Sequence, residues 1–452
     1  MSRSRLVSDK KNTYHILTYG CQMNERDTES LTGFLRQMGY REAAPDEAGI
    51  LLINTCCVRE SAERKILGKL GELRKYKLAR PETVIGIGGC MVQQPGMGER
   101  IRKEYPYVDI VFGTHNLHQL PRMIEQCQFG QVVEVWDSEG EVVEDLPERK
   151  VEGIKAHVTI MYGCNNFCSY CIVPHVRGRE RSRNPEDVVK EVHSLVGQGV
   201  KEVTLLGQNV NSYGKDLQPP VTFADLLRIV NGIDGLKRIR FTTSHPKDFD
   251  LALIEAMAES DKVCEHIHLP VQAGSNRILT AMNRGYTREH YMEMISRIRE
   301  AMPQVALTTD IIVGFPGETE EDFADTLDLV EKVRYDNAFT FLYSKRSGTP
   351  AAELAEQVDA DTKKARFQRL LQLQNGISLE HNKAHIGTLH EVLVEGRSKT
   401  NKELMTGRTR GNKIVVFAGD EHQAGETVCV RIDEARTWTL LGTLVPQNGQ
   451  PQ

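Results

Sequence analysis

No stretch of the 452-residue chain approaches the roughly 18 apolar residues that a membrane span requires. The opening Met1-Ser2-Arg3-Ser4-Arg5-Leu6 is polar and carries no apolar signal core. Internal repeats and low-complexity tracts are absent. Cysteine is scarce, ten in all, too few for a disulfide scaffold. In a cytoplasmic chain, clustered cysteines more often bind metal or do catalysis. Charge of one sign is not in excess: 57 Lys and Arg stand against 62 Asp and Glu, a net of −5. That balance neither requires nor forbids a nucleic-acid partner, because only local patches meet phosphates. These absences set the expectation of a soluble, cytoplasmic protein with no membrane partner. What is present, 40% hydrophobic and 26% charged residues, is enough for a sizeable core. The length suggests about two to four domains.

Residues 12–128 alternate strands and helices. A strand over 15–21 precedes Leu31, Phe34, Leu35 and Met38, which fall on one helical face closed by Gly39. A second strand, 49–56, is apolar on both faces, as a buried parallel strand should be. Ile66, Leu67, Leu70 and Leu73 mark the next helix, and 84–90 and 108–113 are the third and fourth strands. This alternation predicts an α/β, doubly wound parallel sheet. Residues 129–149 are an acidic break, with Glu134, Asp137, Glu139, Glu141, Glu144, Asp145 and Glu148 around Pro147. They read as a linker with a short edge strand at Val132-Val133.

Residues 150–381 alternate six more times, with strands at 156–163, 202–207, 238–244, 266–271, 306–313 and 337–343. Stripes such as Val188, Val192 and Leu195, or Phe323, Leu327 and Val330, mark the helices between them. Periodicity leaves an open sheet and an incomplete barrel equally open. Residues 383–446 change to short strands at 391–395, 413–417 and 427–432, the pattern of a small β-barrel.

The strongest local signal is Cys164-Asn165-Asn166-Phe167-Cys168-Ser169-Tyr170-Cys171, a C-x3-C-x2-C triplet directly after a strand. Thiolates this close converge on one soft centre, an iron–sulfur cluster or zinc. A structural zinc site wants four protein ligands, and no fourth Cys or His stands at finger spacing, although His175 is near. Three ligands suit a four-iron cluster with one iron open. A second constellation is dispersed: Cys21, Cys56 and Cys90, separated by 35 (56 − 21) and 34 (90 − 56) positions, each at a strand end. If those strands are parallel neighbours, the three thiols emerge at one sheet edge, where open α/β sheets bind ligands. Gly20 and Gly88-Gly89 leave room for close approach. Cys57 reads as packing, and Cys127, Cys264 and Cys429 stand alone.

The triplet opening a six-unit βα segment resembles the radical S-adenosylmethionine (SAM) superfamily. With Thr18-Tyr19-Gly20-Cys21-Gln22-Met23-Asn24, Ile53-Asn54-Thr55-Cys56 and Gly88-Gly89-Cys90 upstream, the chain resembles the methylthiotransferases, and residues 383–446 resemble their TRAM RNA-binding module. Within that family, Asn54-Thr55-Cys56-Cys57-Val58-Arg59-Glu60 and the 170–180 stretch look like the branch acting on isopentenyladenosine in tRNA. The resemblance implies a central incomplete (β/α)6 barrel and two [4Fe–4S] clusters, one on Cys164, Cys168 and Cys171, the other on Cys21, Cys56 and Cys90. It further implies two equivalents of SAM per product, one as radical source and one as methyl donor, and methylthio transfer to carbon 2 of the adenine. An aromatic C–H offers neither an acidic proton nor a leaving group, so no acid–base residue is assigned.

Strand-end residues Gly207, Gln208, Asn209, Gln272, Ser275, Gly314 and Pro316 are the expected SAM contacts. Local charge supplies the expected RNA contacts: Arg177, Arg179, Arg181 and Arg183 beside the triplet, and Arg397, Lys399, Arg408 and Arg410 in the barrel, where only Glu403 opposes the cations of 397–413. Expected partners are tRNA, a low-potential electron donor such as flavodoxin or ferredoxin, and sulfur- or cluster-carrier proteins, with the chain a monomer. Competing readings are a methylthiotransferase for threonylcarbamoyl-adenosine tRNA or a ribosomal-protein aspartate, and a non-catalytic zinc-containing RNA-binding protein.

Overall fold

A computed structural model describes residues 12–446, apart from 58, 59, 139, 141, 145–148, 150 and 152 and the side chains of 60–62. Val58 and Arg59 of the isopentenyladenosine-type string, and Glu139, Glu141, Asp145, Pro147 and Glu148 of the acidic break, therefore lie outside the described residues. The chain forms two compact units. One is built on residues up to 150 with 161–165 and 171–183, the other on 151–160, 166–170 and 184 onward.

The first unit is a parallel sheet in the order Arg41–Glu42, Thr13–Thr18, Ile50–Thr55, Val84–Gly89, Ile110–Phe112, Val132–Glu134. Strand side chains alternate, so Leu51 and Ile53 pack with Ile66, Leu70 and Leu73, while Ile50 and Leu52 pack with Leu31 and Leu35 on the opposite face. Each such side chain stabilises the fold by about 1.5–3 kcal/mol. From Thr13–Thr18 the chain steps outward to the short edge strand; from Ile50–Thr55 it steps the other way. The crevice between these two strands is therefore a topological switch point. Val132–Glu134 adds the sixth strand, so the sheet extends into the stretch read as a linker.

In the second unit, Lys155–Thr159, Glu202–Leu206 and Arg238–Thr242 pair in parallel, as do His266–His268, Ala306–Val313 and Asn337–Leu342. A single bridge between Ile239 and Val263 joins the two sheets into an open arc of six strands in chain order. Phe241 meets Phe223 of the helix Phe223–Asn231 edge to face. Arg238, Arg240 and Glu202, on the alternate positions, therefore line the concave side. The first strand ends earlier than expected because Met161–Tyr162 leaves it to pair antiparallel with Arg181–Ser182. The fourth stops at His268, before Pro270, which cannot donate to a ladder, and Gln272, which adopts φ +74°.

A 24-residue helix, Ala360–Lys383, capped by the Asp359 carboxylate, leads into a closed five-stranded barrel: Leu389–Arg397, Met405–Thr409, Ile414–Phe417, Thr427–Ala435, Leu440–Val445. Two of these strands were not foreseen. Their centres, Gly407 and Gly442, sit against the carbonyl oxygens of Leu393 and Arg431, where a Cβ would come within 2.4 Å. Tight closure selects glycine there and erases the apolar alternation. The barrel is bolted to the arc by ions. Arg238 donates to Arg408 O (2.7 Å) and to Glu391, Arg240 to the carbonyls of Thr409 and Arg410, and Arg410 grips Glu265, with Nε 2.7 Å from Oε2. Among the described residues, no helix is long and apolar enough to cross a membrane.

Candidate functional site

Three thiols share one edge of the first sheet. Cys21 immediately precedes the helix Gln22–Gln37, and Cys56 and Cys90 directly follow the neighbouring strands Ile50–Thr55 and Val84–Gly89. The backbone around them is tight. At Gly20 (φ +137°) a Cβ would lie 2.8 Å from Cys56 Cβ, and at Gly89 (φ +98°) one would strike the Thr55 backbone. Asn24 Nδ2 donates to Thr55 O (2.7 Å), and Asn54 Nδ2 donates back to Asn24 O (2.8 Å), locking the first two strand ends together. Thr55 Oγ1 donates to Gly88 O (2.6 Å), locking the third. Cys21 is exposed; Cys56 and Cys90 are buried, about as a site half open to solvent requires. Among the described residues, no three His, Cys, Asp or Glu side chains close around a single metal ion.

Cys57 faces the apolar cluster with Ile53, Ile66 and Leu70, and its thiol donates to Cys90. That hydrogen bond, followed by the charge of Arg177, brings the Cys90 thiol down to about 7 despite its burial. Cys57 is correspondingly held protonated. Arg177 is 6% exposed, and its Nη2 donates to Asp27 Oδ2 at 2.7 Å.

In the cysteine loop, Cys168 is buried and Cys164 and Cys171 are half-buried. Ser169 N–H donates to Met282 O and Ser169 Oγ to Ala281 O. Arg284, 4% exposed, reaches the loop from the same turn: Nη1 lies 3.3 Å from Cys168 Sγ, and Nη2 donates to Pro270 O.

The ends of Glu202–Leu206 and Arg238–Thr242 hold a group of buried polar atoms without partners: Gln208 Oε1, Asn209 Oδ1, Asn211 Nδ2, Ser244 Oγ and His245 Nε2. Unpaired buried polar groups are costly, so their convergence marks a place for a polar ligand. His245 Nδ1 accepts from Lys247 N–H, which puts the ring proton on Nε2. Burial, aided by Arg284 and Lys247, lowers this imidazole to about 2, so it is a neutral donor. Two acceptors beside three donors suit the ammonium and carboxylate of an amino acid, the polar end of SAM.

Of the seven expected SAM contacts, Gln208 and Asn209 lie in this group. Gly207 spends its N–H on Thr242 O and its carbonyl on Thr243 N–H, and Gln272 spends its backbone on Asp310 and Ile312. Ser275 Oγ donates to Asp322 (2.6 Å), which also pairs with Arg277. Gly314 N–H donates to Glu318, whose carboxyl burial lifts to about 7 beside Arg366. Pro316 is buried. Asn211 closes the 206–211 string that resembles the family's site for the amino-acid end of SAM, whereas Ser244 and His245 were missed, because Ser and His after a strand are common loop residues and only the fold places them beside Gln208.

The eight expected RNA contacts do not form one surface. Arg177 is buried at the thiol edge, and Arg183 is buried against Glu144, so neither belongs to a basic exterior. Arg181 is half-buried over the Tyr162 ring. Arg408 pairs with Glu395, and Arg410 with Glu265 in the joint described above. The acids that neutralise them come from outside 397–413, which is why the local charge count misled. Arg179, Arg397 and Lys399 are exposed, with Arg397 3.0 Å from Glu421.

Three family models match the chain: the radical SAM superfamily over 158–330, the uncharacterized protein family UPF0004 over 13–113 and the TRAM domain over 383–445. Two proteins named tRNA-2-methylthio-N(6)-dimethylallyladenosine synthase are closely similar. That of Desulforamulus reducens is 59% identical over 96% of this chain and 95% of its own, and that of Moorella thermoacetica is 57% identical over 96% and 99%. Among solved structures, the radical SAM methyltransferase TsrM of Kitasatospora setae superposes with a TM-score of 0.56 at 16% identity over 75% of each chain. The cobalamin-dependent radical enzyme OxsB gives 0.52 at 14% identity over 81% of this chain and 56% of its own. At such identities these two show the fold alone.

Proposed function

The chain belongs to the tRNA-2-methylthio-N(6)-dimethylallyladenosine synthase family of radical SAM enzymes, and from that premise we propose how its residues divide the work. The reaction adds a methylthio group to carbon 2 of N6-isopentenyladenosine in tRNA. Two [4Fe–4S] clusters and SAM supply, when bound, the radical hydrogen abstraction, the sulfur and the methyl group. Cys164, Cys168 and Cys171 hold the cluster that binds SAM, and Cys21, Cys56 and Cys90 hold the auxiliary cluster. Asn209 and Gln208 accept from the SAM ammonium, while Asn211, Ser244 and His245 donate to its carboxylate. Arg284 fixes the loop that carries Cys168. Protein side chains thus bind, orient and exclude water, and no residue is needed to move a proton from the adenine.

The observation that carries this division is the emergence of three thiols at one edge of neighbouring parallel strands. Arg179, Arg397 and Lys399 are the exposed cations offered to tRNA. A low-potential donor of the flavodoxin or ferredoxin type and a sulfur-carrier protein complete the scheme, in the cytoplasm. The test is anaerobic iron and sulfide analysis together with mass spectrometry of tRNA nucleosides from a strain lacking the protein. About eight irons per chain, and loss of the methylthio group from isopentenyladenosine with threonylcarbamoyl-adenosine intact, are expected. Stoichiometric zinc without iron, or an intact methylthio group, would overturn the reading.

A further inference from the structure

We propose that Asp310 and Phe339 are the specificity-determining pair for the substituted nitrogen of the target adenine: the carboxylate accepts its N6–H, and the ring covers its isopentenyl arm. The proposal rests on the reading of isopentenyladenosine in tRNA as the substrate.

In the second unit, Ile267, Leu307 and Ile311 are buried on one face of the arc. Side chains alternate along a strand, so His268, Thr308 and Asp310 stand on the opposite, concave face. Phe339 is the register partner of Asp310 on the outermost strand and shares that face. The Phe339 and His268 rings meet edge to face with centroids 5.7 Å apart, and His268 Nε2 lies 3.5 Å from Asp310 Oδ1. His268 Nδ1 lies 3.1 Å from Thr308 Oγ1, so the imidazole is steadied between hydroxyl and carboxylate. Asp310 O accepts from Gln272 N–H at 2.9 Å, which fixes the backbone beneath the carboxylate. His268 is the last residue of its strand, so the group lies toward the C-terminal ends of the strands, where sites of βα folds are built.

Phe339 is 51% exposed although it stands on the inner face of the arc. The Asp310 side chain is 26% exposed, and among the described residues no hydrogen-bond donor reaches its Oδ2. An apolar ring half in water beside a carboxylate with a spare oxygen suits a ligand that joins two opposite chemistries at one point. The N6 atom of isopentenyladenosine is such a point, because one nitrogen bears both a hydrogen and a branched hydrocarbon arm. Oδ2 accepts the hydrogen, and Phe339 takes the arm out of water. Holding the N6 end leaves carbon 2, on the other side of N1, uncovered. Threonylcarbamoyl-adenosine carries a urea and a carboxylate in place of the arm. Its carboxylate meets Asp310 as a like charge, and its polar atoms gain nothing from Phe339. The pair therefore attracts one nucleoside and repels the other.

The test uses the full-length, cluster-loaded protein under anaerobic conditions. Fluorescence anisotropy measures its affinity for anticodon stem-loops carrying isopentenyladenosine, adenosine or threonylcarbamoyl-adenosine at the target position. The parent is expected to bind the first most tightly. Phe339→Ala should weaken the isopentenyladenosine stem-loop by about tenfold and leave the adenosine stem-loop unchanged, with Phe339→Leu close to the parent. Asp310→Asn should move two affinities in opposite directions: isopentenyladenosine weaker by about tenfold, threonylcarbamoyl-adenosine tighter by a similar factor. Equal losses for all three stem-loops would make the pair merely structural and overturn the proposal, as would unchanged affinities. Should Phe339→Ala fail to fold, the opposed shifts of Asp310→Asn decide alone. A parent that binds the three stem-loops alike, yet forms methylthio product on isopentenyladenosine when given SAM and dithionite, would also overturn the proposal. A parent that forms no such product would instead overturn the underlying reading of the substrate.

Discussion

Arg284 and Cys168 are 116 positions apart in the chain, yet Nη1 of the arginine donates to the cysteine sulfur at 3.3 Å. The same guanidinium binds Pro270 O at 2.7 Å and the Tyr286 hydroxyl at 3.1 Å. One side chain therefore ties the cysteine loop to the segment after the fourth strand of the arc. Replacing Arg284 by Met leaves those acceptors without their donor. In a chain lacking the auxiliary ligands, 5′-deoxyadenosine formation is expected to fall about tenfold or more, and a chelator should strip iron faster. Iron release timed by absorbance checks this; an unchanged rate would remove Arg284 from the support of the loop.

Cys56 and Cys57 are neighbours with opposite expectations. Cys56→Ala should lose the methylthio product and about four irons per chain while 5′-deoxyadenosine is still made. Cys57→Ser keeps a donor to Cys90 and should keep the full iron content. Retention of methylthio product by Cys56→Ala would show the dispersed thiols to be structural.

Ser244 Oγ has no partner in the ligand-free protein, so removing it takes nothing from the fold. Ser244→Ala is expected to leave the melting temperature unchanged or raised, and to weaken SAM binding by about tenfold or more, the usual cost of a lost bond to a charged group. Calorimetric titration with SAM decides. Equal affinity would place the carboxylate elsewhere.

His245 and His385 give stability a defined pH slope. Burial lowers His245 to about 2 and His385 to about 4, both below the unfolded value near 6.5. The unfolded chain thus binds more protons below pH 6.5, so stability is full above that pH and declines as pH falls. For His245 the decline steepens from about 0.7 kcal/mol per pH unit at pH 6.5 to about 1.3 at pH 5. His245→Gln should flatten this slope in denaturant titrations at pH 7.5 and 5.5. An unchanged slope would mean that the imidazole is protonated in the folded chain.

Exposed and paired barrel cations should behave differently. Lys399 and Lys402 are exposed, and their joint replacement by Ala is expected to lower the salt slope of tRNA binding by about two units without changing stability. Arg410→Ala should leave Glu265 unpaired, lower stability by about 1–3 kcal/mol and loosen the joint of the barrel. The reverse pattern would exchange their roles.

Much was legible before any fold was known. The placement of Cys21, Cys56 and Cys90 at successive strand ends, and of Cys164, Cys168 and Cys171 in one loop, follows from spacing, because strand ends recur once per βα unit. The first parallel sheet and the six βα units of the second segment follow from hydrophobic period, which burial imposes locally; that those six strands form an open arc does not. Tertiary structure alone decided the fate of the arginines. Arg177 meets Asp27 across 150 positions, and Arg410 meets Glu265 across 145, so counting charges along the chain put both on a basic surface. It alone also brought Ser244 and His245 beside Gln208 and Asn209, since which strand ends adjoin is set by sheet order and not by any residue in the motif. Thiol chemistry is written in spacing. The pairing of buried charges is written in which distant carboxylate shares their burial, because a guanidinium leaves water only where a partner already waits.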